Sequence, residues 1–395
     1  MSFIQDYLTH TEALEAPKSF WEWSCYAMIA AVLRDSCYFE MGYRKMMPNL
    51  YVLLLAPSGA DRKSAPFSVV EELIDNDLVG NTKMLRGQCT IQALQDILSQ
   101  EDRHPKSKRQ LKDGSVMLLA EEFSSFFIDD PKLIQNLTDM HDFRAEYSKK
   151  LKTGPSNTIR NMCITMLAAS NQSLLDTVFN SSAVFGGLLS RTCVIVPDGH
   201  RPANSLLRVD LLAVELRKKN LIKQLGEISR LKGTFKITPA AEHRYEEWYV
   251  QLYASMRQHP DPTGVKARVH ANVLKLAMIL AASELRLEIT LEDIETSIQK
   301  FHEISVNYLH FAQRVGTATD VEVASRLMEM LREKFPSPVM RVDFFAVNWG
   351  FIVMKDFDDL IKKLEIGEVI KVVGTQENTV AYYLTEKTIE QMRLK

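Results

Sequence analysis

The sequence is poor in the residues and patterns that cross-link small secreted proteins through disulfides or bind metal ions. Its 395 residues include five cysteines: Cys25, Cys37, Cys89, Cys163 and Cys193. None forms a Cys-x-x-Cys pair, and the odd count and irregular spacing argue against a disulfide framework and against a zinc site. The nine histidines include no His-Glu-x-x-His motif. These absences predict a reduced, cytoplasmic protein.

Long apolar runs and an excess of charge of either sign are also missing. The first ten residues, MSFIQDYLTH, lack the charged-then-apolar pattern of a signal peptide. The apolar stretch Tyr26–Leu33 is far too short to cross a bilayer, so we expect no membrane association. The formal net charge is −2, so any surface that binds nucleic acid must be local.

What the sequence does have is a repeated alternation of buried strands and helices. Continuous apolar runs of strand length occur at Asn49–Leu55, Val116–Ala120, Cys163–Ala169 and Thr192–Val196, with helical patterns between them. Such runs fit strands that are covered on both faces, and their alternation with helices predicts an α/β domain with a parallel sheet.

The pattern divides the chain into four predicted segments. Residues 1–48 are expected to form a helical segment packed on the core, and residues 49–200 the α/β core itself. Residues 201–315 are almost entirely helical in pattern. Residues 320–395 are predicted to form three helices followed by two strands, which is typical of a winged-helix domain.

The first buried strand runs into a candidate phosphate-binding loop. A strand, a tight turn and Lys63-Ser64 at the start of a helix have the layout of a Walker A loop, whose backbone N–H groups cradle phosphate. Lys63 would neutralise the β- and γ-phosphates, and the Ser64 hydroxyl would bind Mg²⁺. Only Gly59 remains of the usual glycines, so an ordinary strand–turn–helix is the alternative. The predicted nucleotide-binding residues are Pro57, Ser58, Gly59, Ala60, Asp61, Arg62, Lys63 and Ser64.

Charged and polar residues also mark the ends of the later strands. Glu121 and Glu122 follow the second strand, where P-loop ATPases use one acid to hold Mg²⁺ and a second to polarise the attacking water. Asn171 ends the third strand and could position that water. Arg191 stands between a helix and the fourth strand, as an arginine finger does. Taken singly, the two glutamates could equally be solvated acids and Asn171 a turn former. Arg191 could equally belong to a surface ion pair.

The order of the four motifs carries a family resemblance. LLLAPSGADRKS, LLAEE, ITMLAASN and GGLLSRTCVIV, within residues 49–196, resemble a family of phage and mobile-element P-loop proteins long catalogued as a domain of unknown function (DUF3987). The same residues are similar to the AAA+ motor core of minichromosome maintenance (MCM) helicases. The resemblance implies an AAA+ fold with ATP and Mg²⁺ between the subunits of a hexamer, Asn171 as sensor 1 and Arg191 as finger.

The resemblance extends into the helical region. Residues 266–298 are similar to the helical lid of MCM helicases. By that likeness Arg268 is sensor 2, a further cation on the γ-phosphate. Whether Arg268 would act within its own subunit or across an interface stays open.

Two regions could contact nucleic acid. Thr153-Gly-Pro-Ser156 is predicted to be a hairpin tip, and in MCM-like motors a basic hairpin before sensor 1 faces the central channel. Its candidate phosphate contacts are Lys149, Lys150 and Lys152, with a solvated loop as the alternative. In the winged-helix segment the predicted recognition helix, residues 355–364, mixes lysines with acidic residues. This composition fits contact with a protein as well as it fits DNA binding.

The favoured hypothesis is an ATP-dependent translocase or helicase for single-stranded or forked DNA, active in replication of a phage or mobile element. A primase or another replication protein is a possible partner. One alternative is an AAA+ switch that loads a replication protein without unwinding. Another is an ATP-binding adaptor that does not hydrolyse ATP, which the irregular loop allows.

Overall fold

The computed structural model divides the chain into two compact units, Met1–Asn307 and Tyr308–Lys395. The predicted N-terminal segment and α/β core lie in the first unit, together with the predicted helical region up to Asn307. The structure describes residues 2–56, 62–80, 82–87, 90–99, 102–103, 110–111, 114–123, 131–148, 158–171, 187–188, 190–197, 203–204, 209–258, 266–316, 318–348, 354–374 and 380–393.

The first unit combines helices and strands. The helices are α1 (Phe3–His10), α2 (Lys18–Leu33), α3 (Ala65–Ile74), α4 (Ile91–Ser99), α5 (Pro131–Met140), α6 (Leu211–Ile228), α7 (Pro239–Gln258), α8 (Lys266–Ser283) and α9 (Leu291–Gly316), the last of which crosses the unit boundary. The strands are β1 (Cys37–Met41), β2 (Arg44–Met46), β3 (Tyr51–Leu55), β4 (Met84–Arg86), β5 (Asp102–Arg103), β6 (Gln110–Leu111), β7 (Ser115–Ala120), β8 (Arg144–Ser148), β9 (Thr158–Ser170), β10 (Thr192–Ile195), β11 (Gly233–Ile237) and β12 (Glu288–Ile289).

The apolar runs of the sequence form the centre of a parallel sheet. Its strand order is β10-β3-β9-β7-β4, with β8 added antiparallel to β9. Every residue of β3, β7 and β10 is buried, as expected for strands that are covered on both faces. The predicted α/β class with a parallel sheet is confirmed. The short strand β4 was not predicted, because three residues give no periodic signal.

Helix α2 is largely buried in the first unit. Nearly all of its residues are apolar and buried, including Phe20, Trp21 and Tyr26. It packs against α3, α8 and the strands β3 and β9. The N-terminal segment is thus part of the core around the sheet.

A second sheet in the first unit was missed by the sequence analysis. It has the order β12-β11-β1-β2, in which β1 and β2 form a hairpin within the segment that we expected to be helical. Its exposed strands carry mixed polar residues such as Glu40, Arg44 and Lys45, and mixed polarity hides the period of two.

In its described residues, the second unit combines four helices with a small antiparallel sheet. Its elements are α10 (Ala318–Lys334), β13 (Val339–Met340), α11 (Arg341–Asn348), α12 (Met354–Ile366), β14 (Ile370–Gly374), β15 (Val380–Leu384) and α13 (Glu386–Arg393). The strand order is β13-β15-β14. Phe344 and Phe357 stack at 5.1 Å between ring centroids, beside the fully buried Tyr382. The short β13 and the last helix were not predicted.

The cysteines Cys25, Cys37, Cys163 and Cys193 are buried and form no disulfide. Among the helices that the structure describes, none is long and apolar enough to cross a membrane.

Candidate functional site

The carboxyl ends of three neighbouring strands meet at one edge of the parallel sheet. Leu55 of β3 pairs with Ser170 of β9, and Ala120 of β7 pairs with Ala168 of the same strand. The Ala56 N–H donates to the Ser170 carbonyl at 3.3 Å. Residues that follow these strands therefore leave the sheet side by side. We call this the nucleotide edge, since it brings together the predicted loop, the acidic pair and Asn171.

Lys63 lies at this edge, immediately before helix α3. Its Nζ donates to the Ala56 carbonyl at 3.2 Å. Burial lowers the pKa of Lys63, and the negative charge of Glu122 acts in the opposite direction. The lysine is thus held between the first residue of the loop and one of the two predicted acids. Lys63 and Glu122, predicted from separate motifs, are electrostatic neighbours.

The start of helix α3 suits an anion. Ser64 is the N-cap, its side chain makes no capping hydrogen bond, and the residue is exposed. Pro66 in the first turn favours helix initiation without needing an N–H donor. A helix N-terminus beside a lysine presents N–H groups and positive charge to a phosphate.

Arg62 takes the backbone conformation that a glycine would provide. Its φ is +46°, in the left-handed region that L-residues seldom adopt. Its Nε donates to Glu15 Oε2 at 2.9 Å, and Glu15 Oε1 accepts the Asn204 N–H at 2.8 Å. The Asn204 N–H and then Arg62 lower the pKa of Glu15. Arg62, which stands where a Walker A loop usually has glycine, is therefore held by the carboxylate of Glu15. Sequence reasoning missed Glu15 because it lies far from Arg62 along the chain.

Several predicted residues fall outside the part of the chain that the structure describes. They are Pro57, Ser58, Gly59, Ala60 and Asp61 of the loop, and Lys149, Lys150 and Lys152 of the hairpin. The arms of that hairpin are described: β8 and β9 pair antiparallel, with Ser148 opposite Thr158.

Arg191 lies at the opposite edge of the sheet. It immediately precedes Thr192, which pairs with Tyr51 at the start of β3. The length of β3, roughly 15 Å, therefore separates it from the loop. Its guanidinium donates to the Gly187 carbonyl at 2.7 Å, and its Nε is buried with no hydrogen-bond partner among the described residues. We call this second edge the arginine edge.

Arg268 accompanies Arg191 at the arginine edge. Burial lowers the pKa of Arg191, and the positive charge of Arg268 adds to that effect, while Asp142 opposes it. Two arginines predicted from unrelated motifs thus lie near one carboxylate, Asp142. Neither accompanies Lys63 within the same chain.

A buried polar cluster supports the arginine edge. Asn49 accepts from Lys275 Nζ at 2.9 Å and donates to the carbonyls of His141 and Ile164 at 2.9 and 3.0 Å. His141 Nδ1 lies 3.0 Å from Asp142 Oδ1. Burial lowers the pKa of His141 to about 3, so at neutral pH this ring is uncharged and donates from Nδ1 to the carboxylate.

The nucleotide edge fits a magnesium–nucleotide complex in its donor chemistry. Hard oxygen ligands are available from the exposed residues Ser64 and Glu121, and Lys63 is a half-buried cation at a helix start. The described residues contain no group of three or more His, Cys, Asp or Glu side chains arranged to hold a metal ion. Such a group is not required here, because a Mg²⁺ bound with a nucleotide keeps several waters and takes its other ligands from phosphates and one or two protein oxygens.

No protein-family model matches the chain, and no curated protein matches it. The functional argument therefore rests on the two edges and the residues they carry.

Proposed function

We propose that the protein is an ATP-driven translocase or helicase for single-stranded or forked DNA. It would work as a ring with ATP bound between its subunits, and the resemblance to MCM helicases implies a hexamer. The observation that carries the proposal is the separation of Lys63 and Glu122 from Arg191 and Arg268. P-loop ATPases need both sets at one γ-phosphate. One chain cannot provide both, and two adjacent chains can.

The nucleotide edge supplies the phosphate and water contacts of the proposed site. Lys63 moves from the Ala56 carbonyl to the β- and γ-phosphates, and the first turn of α3 binds phosphate oxygens. Ser64 and Glu121 would hold Mg²⁺, which neutralises phosphate charge when bound. Glu122 polarises the attacking water, and Asn171 orients it. Electrostatic positioning provides most of the rate acceleration.

The arginine edge completes the site of the neighbouring subunit. Arg191 and Arg268 both act across the interface, since both lie away from Lys63 in their own chain. A guanidinium that reaches a γ-phosphate only in the assembled state makes hydrolysis depend on assembly.

The strand order and the hairpin support an AAA+ motor as the finer identity of the core. The motifs that resemble AAA+ cores end on adjacent strands, because β9, which precedes Asn171, lies between β3 and β7. The β8–β9 hairpin projects before Asn171, where MCM-like motors carry their channel hairpin. Lys149, Lys150 and Lys152 at its tip would contact DNA phosphates.

The second unit has the helix and strand order of a winged helix, and we propose that it contacts a protein such as a primase. Three of its described cations are paired internally: Arg341 with Asp358 at 2.7 Å, Lys334 with Asp343 at 2.8 Å and Lys387 with Glu368 at 2.7 Å. Paired cations offer little net positive charge to DNA phosphates.

The test is ATP hydrolysis by the wild type, Lys63→Ala and Glu122→Gln, each with and without single-stranded DNA. We expect both variants to lose turnover by at least a hundredfold, with Glu122→Gln retaining bound ATP. Strand displacement on a forked duplex separates a helicase from a loading switch, which would hydrolyse ATP without unwinding. Equal hydrolysis rates in all three proteins would reject the site.

A further inference from the structure

Two groups of exposed apolar side chains lie on opposite sides of the first unit. One, the leucine patch, consists of Leu211, Leu212 and Leu216 at the start of α6, which are 75%, 71% and 60% exposed. The other, the tyrosine face, consists of Tyr249, Val250 and Tyr253 on α7, which are 38%, 66% and 48% exposed. Contiguous apolar groups of this kind mark interaction surfaces on folded proteins.

The leucine patch lies on the side of the nucleotide edge. Helix α6 runs alongside α3 in the same direction, because Lys218 pairs with Glu72 and Gly226 further on packs against the Leu78 carbonyl. The first turns of α6, which carry the leucines, therefore lie toward the end where α3 begins, next to Lys63. Asn204, just upstream of α6, is tied through Glu15 to Arg62.

The tyrosine face lies on the side of the arginine edge. The Tyr249 ring meets the His270 ring edge-on at 5.4 Å between centroids, and the Tyr245 hydroxyl donates to the His270 carbonyl at 3.2 Å. His270 is two residues from Arg268 on α8. The tyrosine face is therefore continuous with the residues proposed to reach a neighbour's ATP.

The tyrosine face is also held in place before any partner binds. Tyr245, Tyr249 and Tyr253 stack along α7 with centroid distances of 6.3 and 6.4 Å. Arg257 lies over the Tyr253 ring at 5.4 Å. Preordered tyrosines lose little conformational freedom on binding, and tyrosine and arginine are enriched at the centres of protein interfaces.

We propose that the leucine patch of one chain binds the tyrosine face of a second copy, and that this contact brings Arg191 and Arg268 to the nucleotide edge of its neighbour. The two surfaces differ and lie on opposite sides, so the contact is head-to-tail, and the proposed ring forms where the rotation between neighbouring copies closes. The identity of the partner that binds these surfaces rests on the proposed function. Only a second copy of the chain would need to bring its arginine edge to a nucleotide edge.

The experiment uses the full chain with Mg²⁺ and a non-hydrolysable ATP analogue, and measures mass by sedimentation. One variant carries Leu212→Glu and Leu216→Glu, and the other carries Val250→Glu and Tyr253→Glu. We expect wild type to assemble and each variant alone to stay monomeric at concentrations at least tenfold higher. Tyr43→Glu and Val342→Glu, at sites 91% and 64% exposed, are matched controls and should assemble like wild type.

Mixing the two variants gives the sharpest outcome. Each retains one intact surface, so an equimolar mixture should form dimers and nothing larger. Assembly of either variant like wild type, a mixture that stays monomeric, or a wild-type chain that does not assemble would each overturn the proposal. ATP hydrolysis is measured separately. A ring without ATPase activity would contradict the proposed motor function but not the proposed contact between the two surfaces. An active monomer would contradict the proposed contact.

Discussion

At the scale of single residues, Arg62 explains how the loop tolerates the loss of a glycine. The left-handed conformation costs a non-glycine residue roughly 1 kcal/mol, and the Arg62 side chain forms an ion pair with Glu15. The sequence pattern showed that the glycine is missing. It did not show the ion pair between Arg62 and Glu15, since these residues are neighbours only in the fold.

This arrangement predicts different effects for two small substitutions. Arg62→Gly loses the ion pair and the backbone strain together, whereas Arg62→Ala loses the pair and keeps the strain. Arg62→Gly should therefore be the more stable variant by about 1 kcal/mol in urea unfolding. Equal stability of the two variants would show that the backbone at this position is unstrained in solution.

Lys275 predicts a pH dependence of stability. Burial lowers its pKa from 10.5 to about 8, so between these values the unfolded chain holds a proton that the folded chain has released. Stability due to this residue therefore rises with pH through that window. Relative to Lys275→Met, the unfolding free energy of wild type should increase by roughly 2–3 kcal/mol from pH 8 to pH 10.5. A difference that stays constant with pH would contradict this.

At the scale of elements, the sequence predicted most of what forms the nucleotide edge. The strands β3, β7 and β9 are apolar runs, and parallel strands place the residues after them together, which is why Lys63, Glu122 and Asn171 could be grouped in advance. The grouping of Arg191 with Arg268 could not, because it depends on where α8 packs. The hydrogen bonds of Asn49, which fix that packing, join residues that are remote in sequence.

The packing of α6 on the segment after α3 gives a prediction at this scale. A Cβ on Gly226 would meet the Leu78 carbonyl oxygen at 2.5 Å. Gly226→Ala gains about 1 kcal/mol of helix propensity but must displace backbone, so we expect a net loss of 1–2 kcal/mol in denaturant unfolding. Gly367→Ala, at a position with a nearest contact of 3.2 Å, is a milder comparison. A stabilised Gly226→Ala would mean that the two segments are not in contact.

At the scale of the whole molecule, the central feature is that one chain carries the two halves of the proposed ATPase site at opposite edges of its sheet. Lys63 and Glu122 lie at one edge of the sheet, and Arg191 and Arg268 lie at the other. In the proposed head-to-tail assembly the halves would join, and each subunit would both bind ATP and activate its neighbour.

Hydrolysis by mixed subunits tests this claim most directly. Lys63→Ala and Arg191→Ala should each be inactive alone, since one lacks the phosphate contact and the other lacks the finger. When the two are co-assembled at equal amounts, about a quarter of the interfaces pair an intact nucleotide edge with an intact arginine edge. We predict that ATP hydrolysis returns to about that fraction of the wild-type rate. A mixture no more active than its components would contradict the account.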